Sequence, residues 1–170
     1  MQCTGFDAVA DKDARVLILG TLPGAESLRQ GEYYALRHNS FWWIMGELVG
    51  AFPELPYTER LAQLKRHGIA LWDVCHSALR PGSLDSNIAP DSIIANDFAG
   101  FFAPHKEVAH IFFNGQKANE LFRRKVTSLP ARAAAIPHTV LPSTSPARAN
   151  ITRAQKLEQW RKALGEYIVR

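Results

Sequence analysis

Three short apolar runs constrain this chain more than anything else in it: Arg15-Val16-Leu17-Ile18-Leu19, Ile69 to Val74, and Val108 to Phe113. None alternates apolar with polar residues. A strand with one wet face alternates with period two, whereas a strand covered on both faces is apolar throughout. Segments long enough for helices separate the runs, which is the pattern of a parallel sheet whose crossovers cover both faces. A fourth run, His138 to Leu141, has the same setting. The expected fold is α/β: a single-domain three-layer α/β/α sandwich over residues 1–170, with a four-stranded, mainly parallel central sheet. A chain of 170 residues is long enough to bury one core.

Between the strands, Ser40 to Val49 reads as a helix with Ser40 as its cap and Pro53 beyond it. Thr58 to His67 reads as a second, capped by Thr58 and ended by Gly68. Asn96 to Ala103, Gln116 to Lys125 and Thr152 to Ile168 complete the set, the last with Leu157, Trp160, Leu164 and Ile168 at helical spacing. The polar stretch after Gly20 and the segment from Cys75 to about Asp91 read as loops.

Composition narrows the chemistry by exclusion. Two cysteines, Cys3 and Cys75, are too few for a disulfide framework or a four-cysteine cluster, and the six histidines show no metal-ligand spacing. The expectation is no metal and no cofactor. There is no nucleophile elbow and no Walker loop, and Gly20-Thr21-Leu22-Pro23-Gly24 lacks the third glycine of a dinucleotide fingerprint. No export signal opens the sequence and no apolar run is long enough to span a bilayer. A cytoplasmic protein with no membrane partner is expected. The net charge of +4 leans modestly toward polyanions. Arg29, Arg37, Arg80, Arg148 and Arg153 stand in or beside loops that follow strands, either as a phosphate-gripping rim or as ordinary loop decoration.

The stretches able to carry chemistry all follow strands: Gly20 to Gly24 and on through Tyr33-Tyr34 to Asn39-Ser40-Phe41-Trp42, then Asp73, Gly82 to Ser86, Phe112-Phe113-Asn114-Gly115, and Leu141-Pro142-Ser143-Thr144-Ser145-Pro146-Ala147. They therefore gather at one sheet edge, where α/β folds bind ligands. In this order the stretches resemble the uracil-DNA glycosylase superfamily, most of all its hypoxanthine-DNA (deoxyinosine) glycosylases and next its mismatch-specific uracil glycosylases. The resemblance runs from Val16 to Trp160. It implies an enzyme that hydrolyses the N-glycosidic bond of a deaminated base turned out of DNA, with hypoxanthine as the base and an abasic site as the product. Lys117 follows the third strand but nothing suggests an amine nucleophile, so base release without strand cleavage is expected, and a monomer is expected as well.

The resemblance assigns Asn39 to catalysis. A carboxamide is a poor base, but its oxygen can orient a water; the plain alternative is that Asn39 or Ser40 caps the helix. Tyr34 matches an aromatic that stacks on the extruded base, and Tyr33 is the better candidate for the core. Leu22 and Gly24 would offer backbone groups to the base. Asp73 aligns with a base-reading position. Ionised, it can accept the N1–H of hypoxanthine but cannot donate; alternatively it bonds the amides of the following loop. Asn114 orients base or water, or caps the helix after Gly115. Ser143 would bond a phosphate, Thr144, Ser145, Pro146 and Ala147 would form a minor-groove wedge, and Arg148 would add a phosphate contact.

Two positions depart from the superfamily pattern. Leu22 stands where the mismatch-specific enzymes have a catalytic Asn, and Leu141 where the uracil enzymes have a His. Uracil or thymine opposite guanine is thus the second substrate reading. A non-catalytic nucleic-acid-binding module is the reading from another class, and both leucines favour it. A nucleoside hydrolase fits the basic loops poorly.

Overall fold

The computed structural model describes residues 1–148 and 150–168. Its central sheet contains the four expected strands, β2 (Val16–Gly20), β3 (Ile69–Asp73), β6 (His110–Asn114) and β7 (His138–Leu141). Their order is β3-β2-β6-β7 and every pairing is parallel. Side chains of one strand alternate between two separate cores, which is why no polar alternation is visible in the sequence. Leu17, Leu19, Ile111 and Phe113 pack on Phe98 and Phe102 of α4 (Phe98–Phe102) and on Leu121 and Phe122 of α5 (Gln116–Lys125). Val16, Ile18, Leu71 and Phe112 face the other way. They meet α2 (Phe41–Val49), Leu64 of α3 (Tyr57–Arg66), and Trp160 and Leu164 of α7 (Arg153–Leu164). Each fully buried side chain of this size stabilises the fold by about 1.5–3 kcal/mol relative to exposure.

From β2 the chain moves outward to β3, then crosses back to β6 and continues outward to β7. The direction reverses between β2 and β6. The crevice above the carboxyl ends of those two neighbours is the switch point at which open α/β sheets bind ligands.

Several local expectations are corrected. The segment after Cys75 is not a loop throughout. It begins with β4 (Cys75–Leu79), which pairs antiparallel with β1 (Gln2–Thr4) and β5 (Ile94–Ala95) in a second, three-stranded sheet. The partner strands are short and remote in sequence, so no local pattern announces them. The polar stretch after Gly24 contains a short helix, α1 (Ala25–Gln30), closed by Gly31 at φ 70°. A further turn of helix, α6 (Ala131–Ala134), precedes β7. Thr58 caps nothing; α3 starts after Pro56, whose carbonyl accepts from Glu59 and Arg60. The last helix does carry a Thr152–Gln155 capping box, but it ends at Leu164 rather than Ile168.

Candidate active site

A cavity of about 480 Å³ lies at the switch point. Leu22, Gly24, Tyr34, Asn39, Asp73, Asn114, Ser143, Thr144, Ser145, Pro146 and Arg148 all border it. The cavity thus collects the carboxyl ends of β2, β3 and β6, the loop before α2 and the loop after β7.

Asn39 sits at the start of α2, and its Oδ1 accepts the Phe41 N–H at 2.9 Å. Ser40 occupies the cap position without a side-chain capping bond; its N–H donates instead to the Thr144 carbonyl at 3.0 Å. The carboxamide of Asn39 therefore closes the helix and also borders the cavity. One lone pair of Oδ1 is engaged, which fixes the plane of the group and leaves a second lone pair and the NH₂.

Tyr34 adopts φ 55°, the one non-glycine residue at positive φ among those described. A tyrosine in the left-handed region costs on the order of 1 kcal/mol and persists only when its surroundings over-determine it. Here they do. The Tyr33 N–H donates to Tyr57 Oη at 3.0 Å, the Trp42 indole donates to the Tyr33 carbonyl at 2.7 Å, and the Ala35 N–H donates to Ser27 Oγ at 3.1 Å. One face of the Tyr34 ring stacks on Phe41 at 4.1 Å. Its hydroxyl is buried with no hydrogen bond of normal geometry, although the Asn114 carboxamide faces it. Burial, with the Asp73 charge adding, raises its pKa. Tyr33 is the core residue of the pair, donating its hydroxyl to the Asp7 carbonyl at 2.9 Å.

Asp73 ends β3 and is 4% exposed, and its Oδ2 has no partner. The next two amides, those of Val74 and Cys75, donate to the Gly20 and Thr21 carbonyls at 2.9 and 3.0 Å rather than to the carboxyl, against the loop-capping alternative. Its carboxyl is pushed up to about 7, by burial first and then by the Asp85 charge, with Arg80 opposing. Gly20, its registered partner on β2, makes the approach possible. A Cβ there would lie 2.5 Å from Asp73 Oδ1 and 2.8 Å from Tyr34 Oη. Gly24 is different: it has ordinary extended backbone angles, and a Cβ there would meet nothing within 4 Å.

Thr144 corrects one expectation, and Asn114 is its partner. Asn114 Nδ2 donates to Thr144 Oγ1 at 3.0 Å, and the Thr144 N–H donates to Asn114 Oδ1 at 2.9 Å. Thr144 has no exposed surface, so it anchors the loop rather than forming its wedge, and Asn114 is the anchor's other half. The loop is held again where Lys156 donates to the Ser145 carbonyl at 3.1 Å and the Trp160 indole donates to the Pro142 carbonyl at 3.0 Å. Ser143 Oγ accepts the Ser145 N–H at 3.2 Å. What this rigid loop presents outward is Pro146, Ala147 and Arg148, all exposed.

The basic rim is also narrower than expected. Arg80 is completely buried. Its guanidinium donates to the Pro23 carbonyl at 2.6 Å, the Gly82 carbonyl at 3.1 Å and, weakly, the Leu22 carbonyl at 3.5 Å. It shapes the turn beside the cavity and meets no phosphate; what the turn still offers a base is its N–H groups. Arg29 is paired with Glu26, and Arg153 lies over the Trp43 ring at 4.0 Å. Arg37 and Arg148 remain as exposed arginines of that set beside the cavity loops. Sequence reasoning missed Asp85. It borders the cavity 3.8 Å from Arg80, carried there by the Gly82–Ser86 stretch. Leu141, in the position of the superfamily histidine, is buried in the core behind the site.

A parallel sheet with its crevice bordered by an aromatic ring, a buried carboxyl and a hydrogen-bonded loop defines an α/β protein with a ligand-sized cavity at its switch point. The sequence profile of the uracil DNA glycosylase superfamily matches residues 6–167, so the chain belongs to that superfamily and is a DNA N-glycosylase whose substrate is DNA. A hypoxanthine DNA glycosylase of Methanosarcina acetivorans is 41% identical over 117 residues, 68% of this chain and 73% of its own length. One from Methanosarcina barkeri is 36% identical over 121 residues, 71% of this chain and 75% of its own. The solution structure of a candidate uracil DNA glycosylase from Methanosarcina acetivorans superposes with a TM-score of 0.76 at 35% identity, covering 94% of both chains. The non-catalytic alternative gives way to an enzyme. No helix among the described residues is long and apolar enough to cross a membrane.

Proposed function

We propose that this protein, acting as a monomer and a single catalytic domain, removes hypoxanthine from deoxyinosine in DNA and leaves an abasic site. The observation that carries the reading is the meeting of Asn39, Tyr34 and Asp73 on one cavity. Asn39 has its carboxamide plane set by the Phe41 N–H and orients the attacking water toward C1′. The transition state is close to an oxocarbenium ion, so the water needs positioning more than deprotonation. Tyr34 supports the extruded base with the ring face that Phe41 does not cover; such stacks contribute roughly 1–3 kcal/mol per base. Asp73 reads the base edge. Pro146 and Ala147 fill the space the nucleotide leaves, and Arg148 holds a phosphate. The names of the two Methanosarcina relatives support hypoxanthine as the base.

Duplexes with a single deoxyinosine, deoxyuridine opposite guanine, or thymine opposite guanine test this when incubated with the protein and heated in alkali. Deoxyinosine is cleaved fastest, and Asn39→Ala slows that cleavage by ~10²-fold or more, as expected for a lost positioning group. Parental speed in Asn39→Ala removes Asn39 from the mechanism. Cleavage of the uracil duplex alone hands the site to the second substrate reading.

A further inference from the structure

We propose that Asp73 is the general acid of the reaction, protonating the departing purine at N7 so that the base leaves neutral rather than as an anion. This rests on the purine reading above and adds a catalytic role to a residue that the reading uses only for recognition.

Four observations carry it. The Asp73 Oδ2 is buried without a partner, while the loop amides that would otherwise employ it are satisfied by Gly20 and Thr21. The carboxyl is therefore not a structural cap. Residue 20 is a glycine whose missing Cβ leaves the room that Asp73 and Tyr34 Oη occupy, so the close approach is built into the sheet. Apart from backbone N–H groups and neutral side chains, the cavity wall offers little to stabilise an anionic base. Among the described lining residues there is no histidine or lysine, Arg148 is the sole cation and stands on the exposed loop, and Glu26, Asp73 and Asp85 are acids. A base leaving with negative charge would meet carboxylates. A base that takes a proton would not.

The surroundings of Asp73 hold that proton near neutral pH. From the 80–88 segment Asp85 raises its carboxyl and Arg80 lowers it, and burial outweighs both, leaving it at about 7. The Arg80 guanidinium is turned to the Leu22, Pro23 and Gly82 carbonyls. Tyr33, Tyr34 and the Cys75 thiol also face Asp73 and are themselves shifted up, so they stay neutral. Lys117 on α5 faces Asp85 and Cys75. A general acid works best with a pKa close to the working pH.

The step balances. The Asp73 O–H bond breaks and its proton joins N7. The C1′–N9 bond breaks with its electron pair on N9, releasing neutral hypoxanthine as the N7–H tautomer. The oxygen of the water held by Asn39 bonds C1′ and gives a proton to solvent, and solvent returns one to Asp73. Uracil has no N7, so the same acid gives no matching advantage to a pyrimidine.

Single-turnover cleavage of a deoxyinosine duplex and of the same duplex carrying 7-deaza-2′-deoxyinosine tests this from about pH 5.5 to about pH 9, with the parent and Asp73→Asn. The parent rate on deoxyinosine falls about tenfold per pH unit above the Asp73 pKa, and Asp73→Asn loses ~10²-fold or more and the falling limb with it. The 7-deaza duplex is bound but is cut at least ~10²-fold more slowly by the parent. A falling limb that survives in Asp73→Asn overturns the proposal, as does 7-deaza cleavage at the deoxyinosine rate, which needs no variant to fold. Either result leaves deoxyinosine cleavage standing. Failure of the parent to cut deoxyinosine at any pH instead removes the substrate reading, and the proposal with it.

Discussion

Asn114 and Thr144 grip each other through two hydrogen bonds, Nδ2 to Oγ1 at 3.0 Å and the Thr144 N–H to Oδ1 at 2.9 Å. Thr144 passes the link on through its carbonyl to the Ser40 N–H, next to Asn39. The end of β6, the loop after β7 and the start of α2 are thus one hydrogen-bonded unit. Asn114→Ala removes both bonds and leaves a buried hydroxyl and amide unmatched, a loss of about 2 kcal/mol. Thr144→Val removes only the hydroxyl and costs about half as much. Urea unfolding measures the two costs, and equal stability in all three proteins would show the link to be idle.

Gly20→Ala places a methyl group 2.5 Å from Asp73 Oδ1 and 2.8 Å from Tyr34 Oη. The strand backbone is held there by the pairing of Gly20 with Asp73 and by the pairing of Leu19 on both sides. One of the two side chains must turn aside. The expected cost is about 1–3 kcal/mol of stability and a fall of ~10-fold or more in turnover from misplacement at the reacting centre. Thermal unfolding and single-turnover rates read the two effects separately.

Asp73 also makes stability depend on pH. Its carboxyl rises from 3.8 to about 7 on folding, so between those values the folded chain holds a proton that the unfolded chain has released. Stability then falls as pH rises through that window and is constant above it, a loss on the order of 4 kcal/mol. Asp73→Asn lacks this pH dependence. Its stability relative to the parent should grow from about pH 4 to about pH 8 in urea titrations, and a constant difference would contradict the burial of the charge.

Arg80 offers a test of the turn at Leu22 and Pro23. Arg80→Met strands the carbonyls that the guanidinium serves, and breaking a buried charged network of this kind costs roughly 3–5 kcal/mol. Arg80→Lys restores the charge but not the planar fork, so it recovers only part of the loss. Equal denaturation midpoints for Lys and Arg would show that charge alone is needed.

The central sheet was legible because burial on two faces strips Val16 to Leu19 of polar residues and leaves Val108 to Phe113 only His110, a signal contained within each strand. The gathering of Asp73 and Asn114 at one edge was legible for a related reason: each closes a strand, and parallel strands end on the same side; Asn39 reaches that edge on the loop between α1 and α2. The second sheet was not legible, since β4 gains its partners from Gln2–Thr4 and Ile94–Ala95, far along the chain. Arg80 was misread for the same reason. The desolvation cost of a buried arginine is offset only when acceptors meet it, and two of these carbonyls come from a turn nearly sixty residues earlier. Asp85 was overlooked because nothing in Gly82–Ser86 reveals which way its loop folds.

The ring of Tyr34 lies flat on Phe41, and the amide of Phe41 is the group that pins Asn39. Tyr34, Phe41 and Asn39 therefore share a single mechanical mount. In the proposed reading, a nucleobase pressing on the tyrosine would lean, one ring removed, on the peptide that sets the angle of the carboxamide. Lesions that seat squarely would leave the hydrolytic geometry true, while those that sit askew would tilt it. Discrimination between damaged and normal bases can then be exercised at the moment of bond cleavage as well as at docking.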